Sequence, residues 1–89
     1  MGIDFGEKRI GIALSDEDGE FSFPHSVLEN SKNVVSKIKK VCQENNVGQI
    51  VIGLPLDFRN KPTDATEGAQ NLKIRIEEEI KLPVLSVSE

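Results

Sequence analysis

Two short apolar runs open the chain. Gly2 to Phe5 reads as a strand, and Ile10 to Ser15 as a second, with Ile10, Ile12 and Leu14 alternating with smaller residues. The stretch Asp16-Glu17-Asp18-Gly19 ends in Asp-Gly, a favoured hairpin pair. It predicts that the chain turns back into a third strand, Phe21 to Val27, with Phe21 and Phe23 on one face. Pro24 has no N–H to give to a ladder, which predicts an edge position or a strand end.

The period changes after this strand. Val34, Val35, Ile38, Val41 and Cys42 fall on one stripe of a helix over about residues 32–45, with Asn30 and Ser31 placed to cap it. Asn45-Asn46-Val47-Gly48 supplies the punctuation that ends a helix. Gln49 to Gly53 is a compact β-branched run, the pattern of a strand buried on both faces and hence parallel to its neighbours. Residues 54–63 read as a loop containing Pro55, Pro62 and a mixed-charge segment that includes Asp57. Asp64 and Glu67 fit a capping pair for a second helix carrying Ala65, Ala69, Leu72, Ile76 and Ile80 on one side. Pro83 to Val87 forms a last strand, and Glu89 ends the sequence.

The predicted order is therefore β-β-β-α-β-α-β, an α/β mixed sheet with helices packed on it. Asp4, Gly53 and Glu89 stand at the carboxyl ends of the first, fourth and fifth strands. If those strands are parallel, the three points meet at one sheet edge, outside which ligands of open α/β sheets bind.

Bulk properties narrow the function classes. Eighty-nine residues predict a single domain with a modest core, built mainly from Ile, Val and Leu because the aromatics are four Phe. The net charge of −4 argues against a broad basic face for nucleic acid. It leaves room for a local one, since bound divalent cations reverse the field around an acidic site. Cys42 is alone, so no internal disulfide forms, which suits a reducing cytoplasm. No apolar run approaches the roughly 20 residues needed to cross a bilayer, and membrane partners are not expected.

Candidate chemistry gathers at the start of the chain. A carboxylate at a strand end, Asp4, precedes a tight turn with cationic Lys8 and Arg9. Sites for a divalent metal and a phosphate need those parts. Gly6 and Gly11 permit close backbone approach, to a phosphate or between strands. Lys8 and Arg9 suit either a nucleic-acid backbone or a solvated hairpin tip. Asp16 and Asp57 read as turn and loop aspartates, His25 as structural or exposed, Cys42 as a core residue, and the lysines of the first helix as a solvated face.

Three segments, Gly2-Ile-Asp-Phe-Gly6, Arg9-Ile-Gly-Ile-Ala-Leu-Ser-Asp16 and Val51-Ile-Gly-Leu-Pro-Leu56, together resemble the YqgF family. These are the RuvX-like Holliday-junction resolvases, also described as pre-16S ribosomal RNA nucleases. The resemblance covers essentially the whole chain and includes the spacing between motifs. It implies a ribonuclease-H-like fold and a nuclease that uses Mg²⁺ or Mn²⁺ held by carboxylates, acting on rRNA precursor or branched DNA. Asp4 matches the family's first-strand acid. Val87-Ser88-Glu89 aligns with the start of an Asp-Glu-Arg signature, with Ser88 in place of the Asp, so Glu89 is the second expected metal ligand and catalytic acid. Gly6, Lys8 and Arg9 are the expected substrate contacts. The Arg of that signature, the family's last helix and its last acid have no counterpart here, which marks the chain as an incomplete domain.

Two other readings compete. One is a catalytically inactive module of the same fold that binds nucleic acid or protein, favoured by the missing last acid. The other is a nucleotide-binding ATPase domain like those of sugar kinases, heat-shock chaperones and actin, which open with a similar strand, Asp-X-Gly turn and strand. Eighty-nine residues cannot supply the two lobes that close on ATP. A further expectation concerns the sheet: without a last helix one face is left apolar, which predicts a homodimer through that surface.

Overall fold

In the computed structural model, which describes residues 1–15, 22–54 and 64–88, the predicted order is observed. The elements are β1 (Gly2–Asp4), β2 (Arg9–Ser15), β3 (Ser22–Glu29), α1 (Val34–Glu44), β4 (Ile50–Leu54), α2 (Asp64–Glu79) and β5 (Val84–Ser88). The Asp16–Gly19 turn, Phe21, Asp57 and its loop, and Glu89 lie outside the described residues.

One five-stranded sheet runs in the order β3-β2-β1-β4-β5. β1 pairs antiparallel with β2 and parallel with β4, which is in turn parallel to β5. The three carboxyl ends named from sequence therefore share one edge. β3 is an edge strand, as Pro24 predicts, and it runs to Glu29, beyond the expected end at Val27. A register shift at Ile12/Ala13 leaves His25 unpaired; it is exposed, its Nδ1 3.0 Å from the Ser26 hydroxyl.

Alternation sorts the strands' side chains into two faces. Ile3, Ile10, Ile12, Leu14, Ile50, Ile52 and Val84 are buried on one face. Against it lie Val34, Val35, Ile38 and Cys42 of α1 and Ala69, Leu72 and Ile76 of α2. Cys42 Sγ lies 4.0 Å from Met1 Sδ, and burial raises its thiol pKa against the opposing pull of the nearby N-terminal ammonium. Both helices thus serve a single face. This corrects one expectation: β4 is parallel, yet it is not covered on both sides. Val51 is half-buried and lines an open surface.

Helix ends also differ in detail. α1 begins at Val34, and Asn33 takes the N-cap position without a side-chain bond. Its exit follows the sequence signal. Asn46 adopts φ 52°, and the Val47 amide then reaches the Cys42 carbonyl at 3.0 Å. Asn45 adds a side-chain bond to the Val41 carbonyl at 2.9 Å.

Close packing under the sheet edge rests on a helical glycine. Phe5, the residue after β1, joins the core, and a Cβ on Gly68 of α2 would fall 2.8 Å from its Cζ. Gly68→Ala gains up to about 1 kcal/mol in helix propensity. It also overpacks the ring, at about 1–3 kcal/mol. A net loss of about 1 kcal/mol is expected in the wild type and none in a Phe5→Leu background, read from urea denaturation of the four chains. Equal effects in both backgrounds would mean that the ring does not control this contact.

Candidate functional site

The pairing registers place one row of residues straight across the sheet: Val27, Gly11, Asp4, Gly53 and Val87. Residues in such a row project on the same face. Asp4 is therefore at the centre of the face that neither helix covers, at the carboxyl end of its strand. On either side stands a glycine. A Cβ on Gly11 would lie 3.6 Å from that of Asp4, ordinary contact, so the position tolerates a small side chain but the glycine leaves the carboxylate unscreened. Asp4 is exposed.

Below Asp4 the small residues continue. Gly2, Ala13 and Val51 form the next row, and with Gly11 and Gly53 they floor a trough of about 440 Å³. Phe23 and Val27 wall it on one side and Val87 on the other. Val27, Leu85 and Val87 are 67%, 54% and 48% exposed, so among the described residues this face presents apolar side chains to solvent.

The β1–β2 turn carries the other expected residues. Gly6 owes its identity to local geometry, because a Cβ there would run into the Arg9 carbonyl oxygen. Gly6 therefore makes a close approach within the chain. Lys8 and Arg9 are exposed at the same sheet edge as Asp4, and Arg9 pairs in register with Glu29 of β3.

Asn30 is the residue that sequence reasoning placed wrongly. It does not cap α1. Its side-chain amide donates to the Gly6 carbonyl at 3.0 Å and its backbone amide donates to the Lys8 carbonyl at 2.9 Å. Both ends of the turn are thereby tied to the end of β3. The signal in sequence, an Asn just past a strand, is shared by helix caps and turn clamps, and only the tertiary contact separates them. Asn30→Ala is expected to lose about 1 kcal/mol of stability. It should also speed amide exchange at residues 7–9, and Asn30→Asp, which cannot donate when ionised, should behave alike. Unchanged exchange in both variants would dismiss the clamp.

A divalent hard cation takes oxygen ligands, and Mg²⁺ typically keeps several waters while binding through one or two carboxylates. Asp4 meets that requirement for one ligand, exposed and with a glycine on each neighbouring strand. Among the described residues no group of three His, Cys, Asp or Glu side chains gathers around it. Glu89, the second expected ligand, lies outside the described residues.

A five-stranded mixed sheet with this strand order and a carboxylate at the end of its central strand defines a ribonuclease-H-like α/β protein. Superposition agrees: a RuvC structure from Thermus thermophilus matches with a TM-score of 0.64, at 15% identity, over 98% of this chain and 61% of that one. The profile described as "RuvX: Holliday junction resolvase" matches residues 1–89, and the chain belongs to that family. Three relatives carry the description "Putative pre-16S rRNA nuclease". That of Maridesulfovibrio salexigens is 37% identical over the whole chain, which covers 67% of the relative. That of Mycoplasma mobile is 38% identical, again over the whole chain and 65% of the relative. The protein of Syntrophomonas wolfei is 40% identical over 94% of the chain and 61% of the relative. The chain thus spans about two thirds of the length of these relatives.

Proposed function

We propose that this chain supplies the sheet and first acid of a metal-dependent nuclease that cuts structured nucleic acid, either rRNA precursor or branched DNA. The observation that carries the reading is the placement of Asp4: central strand, carboxyl end, open face, a glycine on each side. Membership of the RuvX family supports a nuclease over a nucleotide-binding ATPase.

In this reading Asp4 and Glu89 hold Mg²⁺ or Mn²⁺ and act as the catalytic acids. When bound, the metal supplies charge neutralisation at the phosphate and a nucleophile at neutral pH. The chain's own residues do the rest. Lys8 and Arg9 hold flanking phosphates as point and forked cations. Gly6 shapes the turn that presents them, and Asn30 fixes that turn against β3. Gly11 and Gly53 keep the approach to Asp4 free of side chains. The reading places the protein in the cytoplasm, where such substrates are found; among the described residues no helix is long and apolar enough to cross a membrane.

Cleavage of a pre-16S rRNA fragment and of a four-way DNA junction, each in Mg²⁺ and Mn²⁺, tests the proposal. Changes to groups that only orient a metal ligand cost about 10–100-fold, so Asp4→Asn should lose at least about 100-fold with its fold intact by circular dichroism. Asp4→Asn cutting at the wild-type rate, or no cutting of either substrate by the wild type, would contradict it.

The exposed apolar face favours a second reading for the 89-residue chain, pairing with a copy of itself through Val27, Leu85 and Val87. Sedimentation equilibrium should then give a dimer that Val87→Lys dissociates. A monomer at high concentration would dispose of this reading.

A further inference from the structure

The chain's charges are not mixed evenly. Between Asn30 and Gln43 stand Lys32, Lys37, Lys39 and Lys40 with no acid among them. α2 is the opposite, with five acids and two bases over residues 64–79. Its bases are also engaged: Lys73 pairs with Glu77 at 3.6 Å and Arg75 with Glu79 at 3.7 Å. Among the described residues, no ion pair engages the α1 lysines, and all four are exposed.

Their arrangement follows from helical geometry. With Val34, Val35, Ile38 and Cys42 buried, Lys40 falls on the crest of α1, and Lys37 and Lys39 on its two flanks. The outer arc of the helix thus carries three lysines, with Glu44 one turn beyond Lys40 as its single acid, in a protein of net charge −4. Four lysines against one acid over residues 31–44 is a local excess opposite in sign to the chain as a whole.

The stripe is also continuous with the candidate site. Asn30, which binds the Gly6 and Lys8 carbonyls, begins the connection into α1, and Lys32 follows two residues later. Arg75 of α2 steadies that connection through its 3.4 Å contact with the Lys32 carbonyl. Lys8 and Arg9, then Lys32, then Lys37, Lys40 and Lys39 form a predominantly cationic path, with exposed Glu29 opposite Arg9 and Glu44 one turn from Lys40. It leads from the Asp4 edge round to the helix side of a molecule 21 Å across at its thinnest.

We propose that the lysine face of α1 is a docking surface for the phosphate backbone of a nucleic-acid arm that lies away from the cut point. The inference rests on the nuclease reading for its choice of partner. α1 and Asp4 are on opposite sides of the sheet, so a short linear strand does not reach both. An arm that bends or branches at the sheet edge does, and structured substrates would bind better than isolated strands for this reason.

Anisotropy of a fluorescein-labelled RNA hairpin and of a labelled four-way DNA junction, measured against NaCl without divalent metal, reads the docking directly. Lys37→Gln/Lys39→Gln/Lys40→Gln is expected to weaken binding by about tenfold or more at 0.1 M salt. It should also reduce the log–log salt slope by about 2–3, the loss of three phosphate contacts. Lys73→Gln, which removes one charge from a paired site on α2, should bind as the wild type does. The triple variant keeping the wild-type slope, Lys73→Gln losing as much per charge removed, or no binding of either probe by the wild type would overturn the proposal. Cutting that fails while salt-dependent binding persists would count against the nuclease reading and leave the docking surface standing.

Discussion

Parallel pairing of β1 with β4 is the constraint on which the rest of the structure depends. β1 has only three residues, and its register with β4 sets Asp4 beside Gly53 at the centre of the sheet. The antiparallel pairing with β2 sets Gly11 on its other side. Because side chains alternate, a slip of one residue would carry Asp4 into the core face and Ile3 out to solvent. Buried Ile3, Ile52 and Ile12, which share the neighbouring row, are what forbid that slip. The core thus fixes the address of a carboxylate that contributes nothing to it.

The two faces of the sheet are unequal for the same reason. Ile, Val and Leu at alternate positions bury one face beneath α1 and α2, while Gly2, Gly11, Ala13 and Gly53 floor the other. Small residues give up burial but grant access, and the trough they line ends at Asp4. Phe5 and Gly68 lock the strand end from below, and Asn30 locks the following turn from the side. The candidate site is accordingly rigid where it is supported by packing and open where a ligand would enter.

Much of this was legible in the sequence, for physical reasons that differ by element. The stripe of α1 and the Ile10-Ile12-Leu14 alternation are core signals, and they named the buried residues of both elements. Pro24 marked the edge strand through its missing donor. The β-branched run at β4 told the direction of pairing but not the covering of its faces. Ile50 and Ile52 alone account for the hydrophobicity that mattered, and Val51 faces the trough. Asp4 was found because a strand-end acid followed by a glycine turn is a local pattern. Asn30 was misread because its partner, the Gly6 carbonyl, is 24 residues away and only the β2–β3 pairing brings it near. Relatives of greater length confirm the family and not the reach of this chain, which matches about two thirds of them.

The account's central claim is that Asp4 is a metal ligand rather than a turn aspartate. Calorimetric titration of Mn²⁺ into this chain and into Asp4→Asn tests it most directly, free of any assumption about substrate. The account predicts measurable binding by the wild type that disappears in the variant while the fold is retained. Equal binding by both, or binding by neither, would contradict it.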